Sequence, residues 1–386
     1  MKILFVFHIS SMMGGANISG LNLVRGLRSY GHDVTVLCPG PGHLHDTLMT
    51  EGFEVIVERF FMAWPHLDNN LSSYMKFFPK ALRNSIHNRK ALKEVLPRLR
   101  AINPDIVHSN TGVMDFGLKI AKALGKPHIT HFREFGYRDT GSMMWHSSAF
   151  RKYPRQWNIA ITRETADFHR LPASRTDIIY NPVYSLHERR ELSAAPGEYI
   201  LYVGGLYPSK GLEDLIEAYA ALPPDLRTSH SLKIAGTTFD HVYEASLRQK
   251  CESLRIAGSV EWLGHRDDVS LLMSGARVTV IPSHNEAFGR TMAEAMFNNC
   301  LVIARDAHGL HEQFEIGIQR TGHEIGLRFT DVPSLTLRLT EALTNPRGHY
   351  RQMVDDARAT VEQEYSTEGN IASVDRLYKT IASSEK

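Results

Sequence analysis

Short apolar runs rich in valine and isoleucine alternate along this chain with longer stretches whose apolar residues recur at helical spacing. Such alternation predicts βα units feeding parallel sheets, an α/β fold. In the first half the expected strands are KILFVF at 2–7, VTVLC at 34–38, DIVHSN at 105–110, HITHF at 128–132 and NIAIT at 158–162. The stretch from Met62 to about Pro79 mixes tryptophan, proline, asparagine and aromatic residues without a period, so it is assigned no element and read as a surface excursion. A second series begins at YILYV, 199–203, and continues through LKIAG at 232–236, VEWLG at 260–264, VTVIPS at 278–283 and LVIARD at 301–306. Residues 181–197 are polar and broken by Pro182, Pro196 and Gly197, as a linker is. The expected organisation is therefore a first domain over 1–190, a second over 191–365, and a terminal helix over 366–386, with Ser366 and Thr367 at its cap.

Length supports this division, because 386 residues favour two domains over one. A hydrophobic content of 42% against 22% charged residues supplies two cores and excludes wholesale disorder. Three dispersed cysteines, Cys38, Cys251 and Cys300, form no CxxC pair, which argues against a disulfide framework or structural zinc and for a reducing, cytoplasmic address. The apolar run before His8 is too short for a signal h-region, and no stretch is long enough to span a bilayer. The net charge of +2 hides an asymmetry: residues 1–190 carry 25 Lys+Arg against 15 Asp+Glu, a balance of +10, leaving −8 for the rest. A basic first half is expected to face something anionic.

Open parallel sheets bind ligands at the carboxyl ends of their strands, so residues just after strands are the informative ones. After the first strand, Gly14 and Gly15 precede a long amphipathic stretch, where helix amides can approach a phosphate. The spacing is not G-x-G-x-x-G, which disfavours a hydride-transfer cofactor. After the first strand of the second series, VGGLYPSKG sets Lys210 directly before a helix. A cation there opposes the helix dipole unless an anion lies between them, as a diphosphate would. In VIPSHNEAFGRTMAEAM, Glu286 lies in a loop and Glu294 eight residues on, inside the following helix, where a carboxylate can hydrogen-bond sugar hydroxyls. Phe288 and Gly289 allow close backbone approach, and Arg290 offers a second cation at the helix start.

Gly14-Gly15, VGGLYPSKG and the E-x7-E motif ending in EAM together resemble the retaining glycosyltransferases of family four, over nearly the whole chain. The resemblance implies the GT-B fold, two Rossmann-like, doubly wound domains facing across a cleft, with the terminal helix able to pack back on the first. It implies that Lys210 binds the diphosphate of a UDP- or GDP-sugar, Glu294 its ribose, and that Glu286 faces the sugar. Gly15, Gly205, Phe288, Gly289 and Arg290 complete the implied donor site. That family usually has arginine where this chain has Gly205; Arg290 is the candidate replacement. It also places a histidine beside the donor sugar, which here is His131 in THFREFG, with Arg133 and Glu134 next to it.

The expected reaction is sugar transfer to a glycan or lipid-linked acceptor with retention of configuration, in envelope polysaccharide or glycoconjugate synthesis. No D-x-D occurs, so no metal ligand is assigned and metal-independent catalysis is expected. Residues 76–100 carry eight Lys+Arg and one acid, Glu94, with Phe77, Phe78, Leu82 and Ile86 interspersed, a segment suited to the inner face of an anionic membrane. Three other functions are weaker. A sugar-nucleotide epimerase would need no acceptor and does not account for the lysine loop with E-x7-E. A two-carboxylate glycosidase finds no defined carboxyl separation here. Nucleic-acid binding finds no stacking or helix-turn-helix motif and is not expected.

Overall fold

The computed structural model describes all residues except 12–14, 63–64, 66–70, 136–151, 186–193, 239 and 385–386. The chain divides into two compact units, one of residues Met1–Asn181 with Thr367–Lys386, the other of Pro182–Ser366. The expected boundary at 190 lies outside the described residues.

Unit 1 is built on a seven-stranded parallel sheet of order β3-β2-β1-β4-β5-β6-β7. The strands are β1 (Lys2–Val6), β2 (Asp33–Cys38), β3 (Glu54–Val57), β4 (Ile106–Ser109), β5 (His128–Phe132), β6 (Gln156–Ala160) and β7 (Thr176–Ile178). Helices α1 (Gly15–Ser29), α2 (His43–Thr50), α3 (Leu71–Ile102), α4 (Phe116–Leu124) and α5 (Arg163–Phe168) connect them. Side chains alternate across a strand, so β1 serves two cores. Ile3 and Phe5 pack with Leu23, Val24 and Leu27 of α1, and Leu4 and Val6 with Val95 and Leu99 of α3. Residues 71–79, expected as an excursion, are instead the first turns of α3, which accommodates Pro79 and Pro97. Their apolar residues follow helical spacing, but the composition hid it.

Unit 2 repeats the plan with six parallel strands in the order β10-β9-β8-β11-β12-β13. These are β8 (Tyr199–Val203), β9 (Ser231–Ala235), β10 (Val260–Gly264), β11 (Val278–Ile281), β12 (Val302–Arg305) and β13 (Leu327–Phe329). Its helices are α6 (Leu212–Ala220), α7 (Pro224–Ser229), α8 (His241–Ser253), α9 (Val269–Gly275), α10 (Arg290–Phe297), α11 (His308–Thr321), α12 (Val332–Thr344) and α13 (Arg351–Glu364).

The last helix, α14 (Thr367–Ser384), packs on α1 of unit 1. Gly26 makes this approach possible, since a Cβ there would lie 2.0 Å from Ile371 Cδ1. Two buried polar contacts fix the register of α14: Asp375 accepts from His32 Nε2 at 2.9 Å, and the Tyr378 hydroxyl lies 2.5 Å from His108 Nδ1. In both sheets the strand order reverses beside the first strand, at β1/β4 and at β8/β11. Such a reversal opens a crevice at the carboxyl edge, because the loops after the two strands run to opposite faces.

Candidate active site

Lys210 and Glu286 are 76 residues apart, yet the loops that carry them follow β8 and β11, the two strands flanking the reversal in unit 2. The loops are laced by backbone, His284 N donating to Ser209 O at 2.9 Å. Gly211, at φ +66°, caps α6, and a Cβ on it would lie 2.2 Å from Pro282 O, so only glycine allows the loops this close. The result is a direct ion pair, Lys210 Nζ to Glu286 Oε1, with Ser283 Oγ donating to the same oxygen at 3.1 Å. Both side chains remain partly accessible, 30% for Lys210 and 19% for Glu286, so the pair can exchange partners with an arriving ligand.

Helix α10 begins at this loop. Gly289 caps it at φ +89°, where a Cβ would meet Leu310 Cδ2 at 2.3 Å, and Gln313 Nε2 holds the Phe288 and Gly289 carbonyls at 2.5 and 3.2 Å. The helix has no side-chain cap and no acidic residue in its first turn, so its positive end faces the loop of Glu286 without a side-chain carboxylate to offset it. Arg290 Nη2 donates to Glu294 Oε1 at 2.8 Å one turn on, and Nη1 to Pro182 O at 2.7 Å. Burial pushes the Glu294 carboxyl above its ordinary range, with Arg290 working against the shift. Phe288 is 3% exposed and packs edge-on against Tyr365 at 5.1 Å, so it anchors the loop from beneath. A Cβ on Gly205 would lie 2.5 Å from Tyr207 Cε2, so the tyrosine ring fills the space beside that position.

Sequence reasoning missed Arg305, at the end of β12. Its Nε donates to Pro282 O at 3.0 Å, Nη1 to Thr330 O at 2.7 Å, and Nη2 pairs with Asp214. It holds the Glu286 loop in place through Pro282. The available signal was a cation ending an otherwise apolar strand.

The carboxyl edge of unit 1 is of another kind. His131 is fully buried and its Nδ1 lies 3.1 Å from Arg133 Nη2. Arginine only donates, so Nδ1 accepts, and the neutral ring carries its proton on Nε2, which has no hydrogen-bond partner among the described residues. Burial, followed by the charge of Arg133, holds His131 well below the ordinary histidine range. Arg133 Nε also donates to Asn110 O at 3.0 Å and Nη1 to Asn181 Oδ1, which joins β5 to the loop after β4. Burial pushes the Glu134 carboxyl up to about 7, although Gly112 N donates to it at 3.0 Å. Gly15 is the first residue of α1; Gly14 lies outside the described residues.

Two Rossmann-like units with charged loops at a strand-order reversal define the architecture of GT-B glycosyltransferases. Residues 13–184 match the family model "Glycosyltransferase Family 4" and residues 186–360 match "Glycosyl transferases group 1". The chain belongs to this glycosyltransferase family. It is 26% identical over 372 residues to a glycogen synthase of Mycobacterium tuberculosis, covering 88% of this chain and 85% of that one. It is 32% identical over 126 residues to the lipopolysaccharide glucosyltransferase WaaG of Escherichia coli, covering 33% and 30% of the two chains. Among solved structures, Anabaena Alr3699/HepE in complex with UDP shares the fold at a TM-score of 0.78 and 19% identity, over 98% of this chain and all of that one (100%).

Proposed function

We propose that the protein transfers a sugar from a nucleoside diphosphate sugar to a glycan or lipid-linked acceptor, with retention of configuration, in envelope polysaccharide or glycoconjugate synthesis. The observation that carries this reading is the Lys210–Glu286 pair beside the start of α10, which has no side-chain cap, at the carboxyl edge of unit 2. A diphosphate there takes Lys210 from Glu286 and accepts from the α10 amides, and the freed Glu286 carboxylate turns to the sugar. When Glu294 accepts from the ribose, Arg290 is released to serve as the second cation. These fixed charges stabilise the departing diphosphate, and with no D-x-D in the chain the proposed reaction uses no metal. Retention rests on the family resemblance, as does the assignment of His131 to the sugar; its buried Nε2–H is the one group of that ring with a hydrogen bond to give. The HepE complex with UDP favours a uridine donor, and GDP-sugars are the alternative. Thermal melts of the full chain against a panel of UDP- and GDP-sugars test this: one donor raises the Tm, undiminished by a chelator, and no shift with any donor contradicts it.

The proposed acceptor brings the enzyme to a membrane surface. No helix among the described residues is long and apolar enough to cross a bilayer. Helix α3, however, exposes Met75 (72%), Phe78 (75%), Leu82 (64%) and Ile86 (59%) along one face, with Lys76, Lys80 and Arg83 beside them. Farther along, Ala91, Val95 and Leu99 of the same helix are buried in the unit 1 core. Apolar side chains flanked by cations fit the interface of an anionic bilayer. Co-sedimentation with vesicles containing anionic lipid recovers the protein, and Phe78→Glu with Leu82→Glu returns it to the supernatant; equal recovery with neutral vesicles contradicts the contact.

A further inference from the structure

At the amino edge of the unit 2 sheet, opposite the loops of Lys210 and Glu286, a cavity of about 410 Å³ opens where the chain enters β11 and β12. Its lining includes Arg277, Asn299, Arg347, Tyr350, Arg351 and Asp355. Arg277, 8% exposed, directly precedes β11. Its Nε and Nη2 donate to Ala342 O at 3.0 and 2.7 Å, and Nη2 also to Asn345 O, closing the end of α12. Nη1 has no hydrogen bond among the described residues. Arg347 reaches Ala276 O at 3.1 Å, Gly197 O, and Glu198 at 3.4 Å.

Arg351 is different in kind. It is the first residue of α13, its side chain is 83% exposed, and its ion pair with Asp355 is long, at 3.7 Å. A 3-10 turn over Arg347–Tyr350 runs directly into α13, and Arg351 N donates to Gly348 O. Asn299, at φ +57°, brings an exposed carboxamide to the same cavity. Three guanidinium groups thus surround one lined space against a single lining carboxylate, Asp355, with Glu198 beside Arg347. Like charges gathered in this way repel one another unless a ligand neutralises them. Leu301, Val354 and the Tyr350 ring supply an apolar wall.

We propose that this cavity is a second anion site, distinct from the donor site, which binds the phosphate of a small phosphate monoester through Arg277 and Arg351. Its volume is sufficient for a phosphorylated monosaccharide, and the Asn299 carboxamide is placed for a ligand hydroxyl.

The test uses the full chain carrying Lys210→Ala, so that the donor loop does not capture the probe. Glucose 6-phosphate, inorganic phosphate and neutral glucose are each titrated by calorimetry. Glucose 6-phosphate binds, glucose does not, and adding Arg351→Glu weakens binding roughly tenfold or more, while Arg351→Lys retains most of it. Tighter binding of glucose 6-phosphate than of inorganic phosphate assigns the site to an organic ester; equal affinity assigns it to free phosphate. Arg351 is exposed, so its variants melt as the parent does. The proposal is overturned if glucose 6-phosphate and phosphate both fail to bind the folded Lys210→Ala chain, if glucose binds equally, or if Arg351→Glu leaves the affinity unchanged.

Discussion

The carboxyl edges of the two sheets carry polar groups of opposite character. In unit 2 the groups are charged, partly exposed and paired with each other: Lys210 with Glu286, Arg290 with Glu294. In unit 1 they are buried, and several have no hydrogen-bond partner among the described residues: His8 Nδ1, His108 Nε2, Asn110 Oδ1, Thr111 Oγ1 and His131 Nε2. The proposed function accounts for the contrast. Accessible ion pairs exchange partners at small cost, which suits a ligand that arrives with its own charges. A buried neutral donor is expensive to leave unpaired, and this gives it a fixed direction and a readiness to bond a hydroxyl.

The most severe way to break the comparison is to remove the charge on which the unit 2 edge depends. Lys210→Ala is expected to lower kcat/KM by roughly 10²–10³, the loss typical of one positioned donor to a developing anion. Arg290→Ala should cost less, because its guanidinium is shared with Glu294 and Pro182; an unchanged kcat/KM in Arg290→Ala would reject its role as replacement cation.

The unit 1 edge is sharpened through Glu134. Its folded carboxyl is raised from 4.5 to about 7, so between those values the folded state binds the extra proton. The stability this contributes is present below pH 4.5 and lost as pH rises through about 7. Glu134→Gln keeps a neutral acceptor for Gly112 N and should remove that decline, making the variant more stable than the parent at pH 8 by up to about 3 kcal/mol and nearly equal at pH 4.5. Denaturant titrations at the two pH values measure it, and parallel curves would contradict the buried acid.

A smaller effect tests the lacing of the unit 2 loops. Gly211→Ala puts a Cβ against Pro282 O and strains the backbone at positive φ, at a cost of about 1–3 kcal/mol of stability. It should also weaken donor binding, since Lys210 is the adjacent residue. A Tm equal to the parent's would show that the loops part easily.

Much of this was legible before the structure. Ten strands, the edge strand β10 among them, announced themselves as apolar runs, whereas β3, β7 and β13 did not. All three are edge strands of three or four residues. Glu54 and Val57 of β3 and Asp177 of β7 are exposed, so the pattern there is mixed and short. The placing of Lys210 and Glu286 after strands and before helices, and of Glu294 inside the helix that follows, was legible because it is local. That Lys210 pairs with Glu286 was not, because strand order is a property of the whole sheet. Nor was the burial of His131, the ring of Tyr207 against Gly205, or the brace from Arg305 to Pro282, each of which depends on residues distant in sequence or on side-chain direction.

The central claim is that Lys210 exchanges Glu286 for a diphosphate. A crystal structure with bound UDP or GDP tests it most directly. The account predicts phosphate oxygens within hydrogen-bond distance of Lys210 Nζ and of the first α10 amides, with Glu286 released. Nucleotide bound elsewhere, or Lys210 still paired with Glu286 while the site is filled, would contradict it.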